Sequence, residues 1–167
     1  MIHVYTGEGK GKTTAALGLA LRACGAGCRV YIGQFIKGKT CSEHIALRSL
    51  KNITIEQYGR GCFLGPKPGV KDMLLAKSGL NKALKAIRSK KYKVIILDEA
   101  NIALHLGLLS INEVLELIRI TPKNIELILT GRCAPAQIIR SADLASEIKE
   151  VKHYFKKGIK ARRGIED

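Results

Sequence analysis

At 167 residues the chain has the length of one domain, and it is long enough to bury a core without disulfide staples. Hydrophobic residues make up 46%, too many for a disordered chain, and no apolar run reaches the roughly 18–20 residues of a membrane span. Lys and Arg total 29 against 14 Asp and Glu, a formal net charge of +15 that asks either for an anionic partner or for solvated basic faces.

In chain order, Ile2 to Tyr5 reads as a first strand, followed by a Gly-rich turn and a helix over Thr13 to Cys24 crowded with Ala and Leu. Arg29 to Phe35 reads as a second strand, Glu43 to Leu50 as a short helix, and Ile53 to Tyr58 as a third strand. Gly59 to Val70 holds four Gly and two Pro and reads as a loop. Asp72 to Lys90 has helical spacing with Asp72 as its cap. Val94 to Leu97 is a continuous apolar run, as a strand buried on both faces requires. A helix over Ile111 to Ile120, capped by Ser110 or Asn112, precedes a buried strand over Ile125 to Leu129. A short helix over Ala134 to Ala142 and a last strand over Glu147 to Phe155 lead into a polar tail. Strands alternating with helices imply an α/β fold, a mostly parallel sheet with helices on both faces. Residues 1–167 are expected to form one nucleotide-binding domain, with 158–167 as a polar C-terminal tail.

The five cysteines, Cys24, Cys28, Cys41, Cys62 and Cys133, form no C-x-x-C pair, and the four histidines are scattered, so buried or surface thiols are favoured over a metal site. The N-terminus lacks the basic start and apolar stretch of a secretion signal, which gives a cytoplasmic expectation. Seven Lys or Arg lie between Lys149 and Arg163 and six between Lys82 and Lys93, but aromatic residues are only 5%, a poor basis for a single-strand stacking platform.

The sharpest signal is Thr6-Gly7-Glu8-Gly9-Lys10-Gly11-Lys12-Thr13-Thr14, placed between the first strand and the first helix. Glycines permit the turns that point successive N–H groups inward, and the helix N-terminus adds partial positive charge. Gly7, Glu8, Gly9, Lys10, Gly11, Lys12, Thr13 and Thr14 are therefore the candidate nucleotide-binding residues. Lys12 would reach the β- and γ-phosphates, and the Thr13 hydroxyl would bind a magnesium ion. Against the usual G-x-x-x-x-G-K-[ST] pattern, Thr6 stands at the first glycine position. A bare Gly-rich turn capped by Thr13 is the alternative. A dinucleotide fingerprint fails, because no acidic residue lies between Glu8 and Glu43 to hold a ribose.

Asp98 and Glu99 follow the buried run Val94 to Leu97, at the strand end where such proteins hold magnesium. An acidic helix cap is the structural alternative. Thr130-Gly131-Arg132 follows the Ile125 to Leu129 strand at the same sheet edge, where Arg132 could neutralise phosphate charge.

Together the loop GEGKGKTTAALG, the segment Gly33-Gln34-Phe35-Ile36-Lys37-Gly38, the acid pair in ILDEAN, the segment ILTGRCAP and the ending VKHYFKKGIKARRGIE resemble the ATP:corrinoid adenosyltransferases of cobalamin biosynthesis and salvage, over nearly the whole chain. The resemblance implies a RecA-like P-loop NTPase fold, a homodimer, and transfer of the 5′-deoxyadenosyl group of ATP to the cobalt of a reduced corrinoid with release of triphosphate. It implies Mg2+ with ATP and an electron-donating reductase as partner; the lack of a long apolar run gives the expectation of no membrane partner. Carried over by position, Gly7 to Thr13 match the nucleotide loop, Thr13 and Glu99 the magnesium ligands with Asp98 adjacent, and Arg132 the T-G-R segment. Phe63 matches an aromatic that crowds the lower face of the corrin; some members carry a Trp two residues later, where this chain has Gly65. The catalytic set is thus Lys12, Phe63 and Arg132. The competing readings are a basic ATPase stimulated by nucleic acid, and a carrier that binds without turnover.

Overall fold

A computed structural model describes residues 1–61 and 68–166. Six strands form one sheet: β1 (Ile2–Thr6), β2 (Val30–Lys37), β3 (Ile53–Gly61), β4 (Val94–Asp98), β5 (Glu126–Thr130) and β6 (Leu144–Glu147). Their order is β3-β2-β4-β5-β1-β6, and every pairing is parallel. The helices are α1 (Lys12–Gly25), α2 (Ser42–Arg48), α3 (Val70–Arg88), α4 (Ala100–His105), α5 (Ile111–Ile120) and α6 (Ala136–Arg140), followed by a 3-10 turn at Tyr154–Lys157.

Strand alternation divides the interior in two. Val30, Ile32, Val94, Ile96 and Ile128 face α1 and α2, packing on Ala16, Ala20 and Leu47. Tyr31, Phe35, Ile95, Leu97, Leu127 and Leu129 face the other way, onto α3, α4, α5 and α6. Each fully buried Ile or Leu contributes about 1.5–3 kcal/mol, so the two layers supply most of the drive to fold. Small residues set the distance at which helices approach. A Cβ on Gly79 of α3 would meet the Tyr58 ring at 2.6 Å and Phe35 at 2.9 Å.

Four sequence expectations need correction. Asp72 does not cap α3 from outside. It sits in the first turn, where its carboxylate accepts the Gly69 N–H and a two-pronged bond from Arg60, which drives its pKa down to about 2. The last strand is Leu144–Glu147 rather than Glu147 to Phe155. All four of its residues are exposed at the sheet edge, so no buried apolar alternation marked it. The third strand runs on to Gly61, into the segment read as loop. Residues 158–166 are also more than a trailing polar tail, because they turn back onto the Gly-rich loop.

Candidate active site

The carboxyl ends of the parallel strands all open on one edge, and the sequence-predicted residues of β1, β4 and β5 gather there. The loop after β1 is built on positive-φ glycines, Gly7 at 99° and Gly11 at 121°. Gly11 precedes α1, whose first turn has neither a side-chain cap nor an acidic residue. Its leading amides and the positive end of its dipole are therefore available to an anion. Thr6, at the first glycine position, earns its place by accepting the Ala134 N–H on its hydroxyl at 3.3 Å. Its carbonyl accepts the Ile148 N–H at 2.8 Å. Gly9 donates its own N–H to Ile148 O at 2.7 Å, so that amide is already engaged by protein.

Lys12 is 8% exposed and donates from Nζ to the carbonyls of Gly7 and Gly9, both at 2.6 Å. Burial, followed by the nearby Arg132 charge, lowers its pKa. Arg132 itself is exposed and pairs with Glu8 at 3.3 Å, which places both side chains at the rim beside the loop. Lys10 points elsewhere, toward the C-terminal segment. Thr14 is exposed on the first turn of α1.

The acid pair does two different things. Asp98 is fully buried and accepts four hydrogen bonds. Thr13 and Thr130 hydroxyls donate to Oδ1 at 2.9 and 2.6 Å, and Gln34 Nε2 and Lys37 Nζ donate to Oδ2, both at 3.0 Å. These four bonds fill the roughly four acceptor positions of a carboxylate. Glu99, by contrast, takes no hydrogen bond or ion pair from the described residues. Burial and then the Asp98 charge raise its pKa, while Lys37, Lys12 and Arg132 pull the other way. Its backbone is left-handed, φ 59°, and its N–H donates to Thr130 Oγ1 at 3.1 Å. Such a conformation is unfavourable for a non-glycine residue by roughly 1–2 kcal/mol and turns the chain sharply between β4 and α4.

Behind Asp98 lies a chain of buried polar groups. Gln34 Nε2 faces the carboxylate, so Gln34 Oε1 must face His44 Nε2, 2.5 Å away. His44 therefore carries its proton on Nε2, and its Nδ1 accepts the Cys41 N–H at 2.9 Å. Burial lowers the His44 pKa, in keeping with a neutral ring. Cys41, Glu43 and His44 bring potential metal ligands within 4.8 Å of one another, but both ring nitrogens of His44 are already committed to the polar chain. Lys37 is held charged: burial works against the ammonium, but Asp98 outweighs it and the pKa is raised.

Gln34, Lys37, Thr130 and His44 had no role assigned from sequence. Gln34 carried a signal, a polar residue within the wholly apolar start of β2; His44 on a seven-residue helix carried none. Phe63 lies outside the described residues.

The family model of ATP:corrinoid adenosyltransferase BtuR/CobO/CobP matches residues 1–166. The chain is 35% identical over 168 residues to the corrinoid adenosyltransferase of Pseudomonas aeruginosa, covering 99% of this chain and 83% of that one. It is 32% identical over 166 residues to the corrinoid adenosyltransferase of Escherichia coli K12, covering 99% and 85%. It is also 40% identical over 167 residues to an uncharacterized protein of Nostoc sp., covering 91% of this chain but 44% of that protein.

Proposed function

Because the chain belongs to the ATP:corrinoid adenosyltransferase family, we propose that it transfers the 5′-deoxyadenosyl group of ATP to the cobalt of a reduced corrinoid and releases triphosphate. Membership makes the chain an enzyme that moves an adenosyl group from ATP to a corrinoid cobalt. The finer reading rests chiefly on one observation: the Thr13 hydroxyl of the Gly-rich loop is joined to Asp98 of the acid pair at 2.9 Å. This bond supports reading the loop and the acid pair as one site, with Arg132 at its rim through Glu8.

In this reading the loop is a phosphate loop of a RecA-like fold, with one strand, β5, between the loop strand β1 and the acid strand β4. The triphosphate lies against the first-turn amides of α1, and the Lys12 ammonium turns from the Gly7 and Gly9 carbonyls onto phosphate oxygens. The oxygen donors suit Mg2+, a hard cation. Thr13 donates its hydroxyl proton to Asp98, which leaves oxygen lone pairs for the ion, and Glu99 offers an uncommitted carboxylate. Thr13 and Glu99 would hold the metal, with Asp98 orienting Thr13 and Lys37. Bound Mg2+ would neutralise charge on the leaving triphosphate.

The chemistry asks little else of the protein. The reduced cobalt supplies the electron pair for the new bond to C5′, the C5′–O bond breaks, and triphosphate leaves with that bond's electrons. No general base is required. Lys12, the α1 amides and Arg132 stabilise the growing negative charge, and the loop holds C5′ in line. Phe63 is assigned to the corrin side from the family resemblance, as are the homodimer and the reductase partner; a cytoplasmic setting is proposed from the sequence alone. No described helix is long and apolar enough to cross a membrane.

The test is anaerobic mixing of the protein with Mg-ATP and chemically reduced cobalamin while the corrin absorption spectrum is followed. A light-sensitive alkylcobalamin with matching triphosphate is expected. Orthophosphate release without an adenosylated product would overturn the reading.

A further inference from the structure

The C-terminal segment carries side chains that close on the Gly-rich loop from outside the site. Lys10 reaches to the C-terminal segment, where its Nζ donates to Tyr154 OH at 2.6 Å, to Glu166 Oε1 at 2.8 Å and to Ile165 O at 3.0 Å. Glu166 is the hub. Its carboxylate accepts from Lys10, from the Tyr154 hydroxyl and from the Arg162 guanidinium and backbone N–H. Arg162 also stacks over the Tyr154 ring, 4.7 Å from its centroid. These partners hold the Glu166 carboxyl well below the usual range, with Arg162 first, then Lys10 and Tyr154; the same contacts raise the Lys10 pKa.

The stretch just upstream grips the same loop through its backbone. Gly9 N–H donates to Ile148 O, and Ile148 N–H to Thr6 O. A Cβ on Gly7 would stand 2.5 Å from Ile148 O, and one on Gly9 2.7 Å from Lys149. The outer wall of the loop is thus made by residues 147–149, and its tip is tied down by 154–166.

We propose that Lys10, Tyr154, Arg162 and Glu166 form a clasp that holds the Gly-rich loop in its ATP-binding conformation, with Lys10 as a positioning residue and not a phosphate ligand. The proposal rests on the reading that this loop takes ATP. A loop with five consecutive residues between β1 and α1, three of them glycine, has many conformations when untied, and only the cupped one directs its amides at a phosphate. Apparent affinity falls in proportion to the fraction of molecules in the competent state, so tying the loop down raises ATP affinity with no contact to the ligand. Three acceptors on one ammonium also keep Lys10 from the site, which leaves Lys12 as the loop's inward cation. Among the described residues no member of the buried core lies beyond Ile138, so the clasp can be cut with the core intact.

Mg-ATP binding is measured by titration calorimetry on the full chain, on Glu166→Ala, on Tyr154→Phe, on Lys10→Ala, on the Lys10→Ala/Glu166→Ala pair, and on a chain ending at Gly158. Single changes are expected to weaken binding by up to about fivefold, the scale of an exposed charged pair, and the shortened chain by roughly tenfold. The pair should be no weaker than Lys10→Ala alone, because the two residues act through each other. The KM for ATP should rise while kcat and the melting temperature stay near those of the parent, a split that a general loss of fold would not give. Tighter ATP binding in Glu166→Ala would mean that the loop takes ATP better untied, and equal binding that the clasp does not shape the loop; either result overturns the proposal. Failure of the parent chain itself to bind ATP would instead sink the reading of the loop.

Discussion

Gln34 and Asp98 stand directly opposite each other in the β2–β4 pairing, and the Gln34 amide donates to Asp98 Oδ2 at 3.0 Å. The other end of the amide receives the His44 Nε2 proton. A neutral residue thus fixes the carboxylate that in turn orients Thr13 and Lys37. Gln34→Leu removes a donor from Asp98 and leaves the His44 N–H without its acceptor. Each stranded buried group costs about 1–3 kcal/mol, so urea denaturation should show a loss of that order. Mg-ATP titration should show weaker binding as well, because Thr13 loses its fixed partner. Loss of stability with unchanged ATP affinity would mean that the polar chain serves only the fold.

His44 gives a second, independent readout. Its Nδ1 accepts the Cys41 N–H at 2.9 Å, and the Cys41 carbonyl lies farther off at 3.3 Å, so a proton there would give up the shorter bond. Burial also lowers its pKa. A histidine whose folded pKa lies below its unfolded value costs stability as pH falls: the folded protein resists a proton that the unfolded chain accepts below about pH 6.5. His44→Asn should therefore flatten the fall in melting temperature between neutral pH and pH 5. An identical slope in the variant would assign that pH dependence to other groups.

Glu99 shows the same linkage with the opposite sign. Its folded pKa is raised above that of a free glutamate, by burial and by Asp98. The charged form is disfavoured in the folded chain, so Glu99 costs stability above its folded pKa, and the cost is relieved as pH falls toward the ordinary glutamate range. Without metal, Glu99→Gln should unfold at a higher temperature than the parent at pH 7, and the gap should narrow as pH falls. Added Mg2+ should stabilise the parent with ATP and do little for the variant. If Mg2+ stabilises both equally, the ion is held elsewhere.

The layered α/β fold was legible because Val94 to Leu97 is buried on both faces and so reads as an unbroken apolar run, and Ile125 to Leu129 is broken only by the half-buried Glu126. The Gly-rich loop and the acid pair were legible because both must sit at strand ends, and local patterns mark strand ends. β6 lies elsewhere than expected because Leu144 to Glu147 is an edge strand whose apolar residues, Leu144 and Ala145, stay exposed. Apart from Gln34 in β2, the polar chain through His44 and the clasp on Lys10 were not legible. Both join residues far apart in sequence, 64 positions between Gln34 and Asp98 and 156 between Lys10 and Glu166, and neither repeats with a period. Lys10 shows the consequence: its place in the loop suggested a phosphate contact, while its side chain is committed to the C-terminal segment.

Lys12→Ala should remove the loop's buried ammonium and with it most ATP binding. Its amine now satisfies the Gly7 and Gly9 carbonyls, so the variant loses two charge-assisted bonds within the loop in addition to the phosphate contact. Equilibrium titration should show Mg-ATP weakened by roughly 100-fold or more, taking about 3 kcal/mol as the scale of a bond to a charged group. Affinity within threefold of the parent would mean that the triphosphate does not meet this lysine.

Gly7 is where shape and conformation make the strictest demand. Its φ is 99°, a value that L side chains rarely adopt, and an added Cβ would lie 2.5 Å from Ile148 O and 2.9 Å from Ile148 N. Both neighbours are backbone atoms, and Ile148 is itself tied to Thr6 and Gly9, so none can swing aside. Gly7→Ala must therefore shift the loop away from residues 147–149 or twist its own backbone. Overpacking of this kind costs about 1–3 kcal/mol. The loop can relax only by moving away from that wall, so the larger loss should fall on function: ATP affinity reduced at least about tenfold, with a smaller drop in melting temperature. Gly11→Ala offers the contrast. It has φ 121° but nothing within 4 Å of its Cβ position, so it tests conformation without the clash. Equal losses in the two variants would show that backbone conformation sets the loop, and a much larger loss at Gly7 that the wall at Ile148 does.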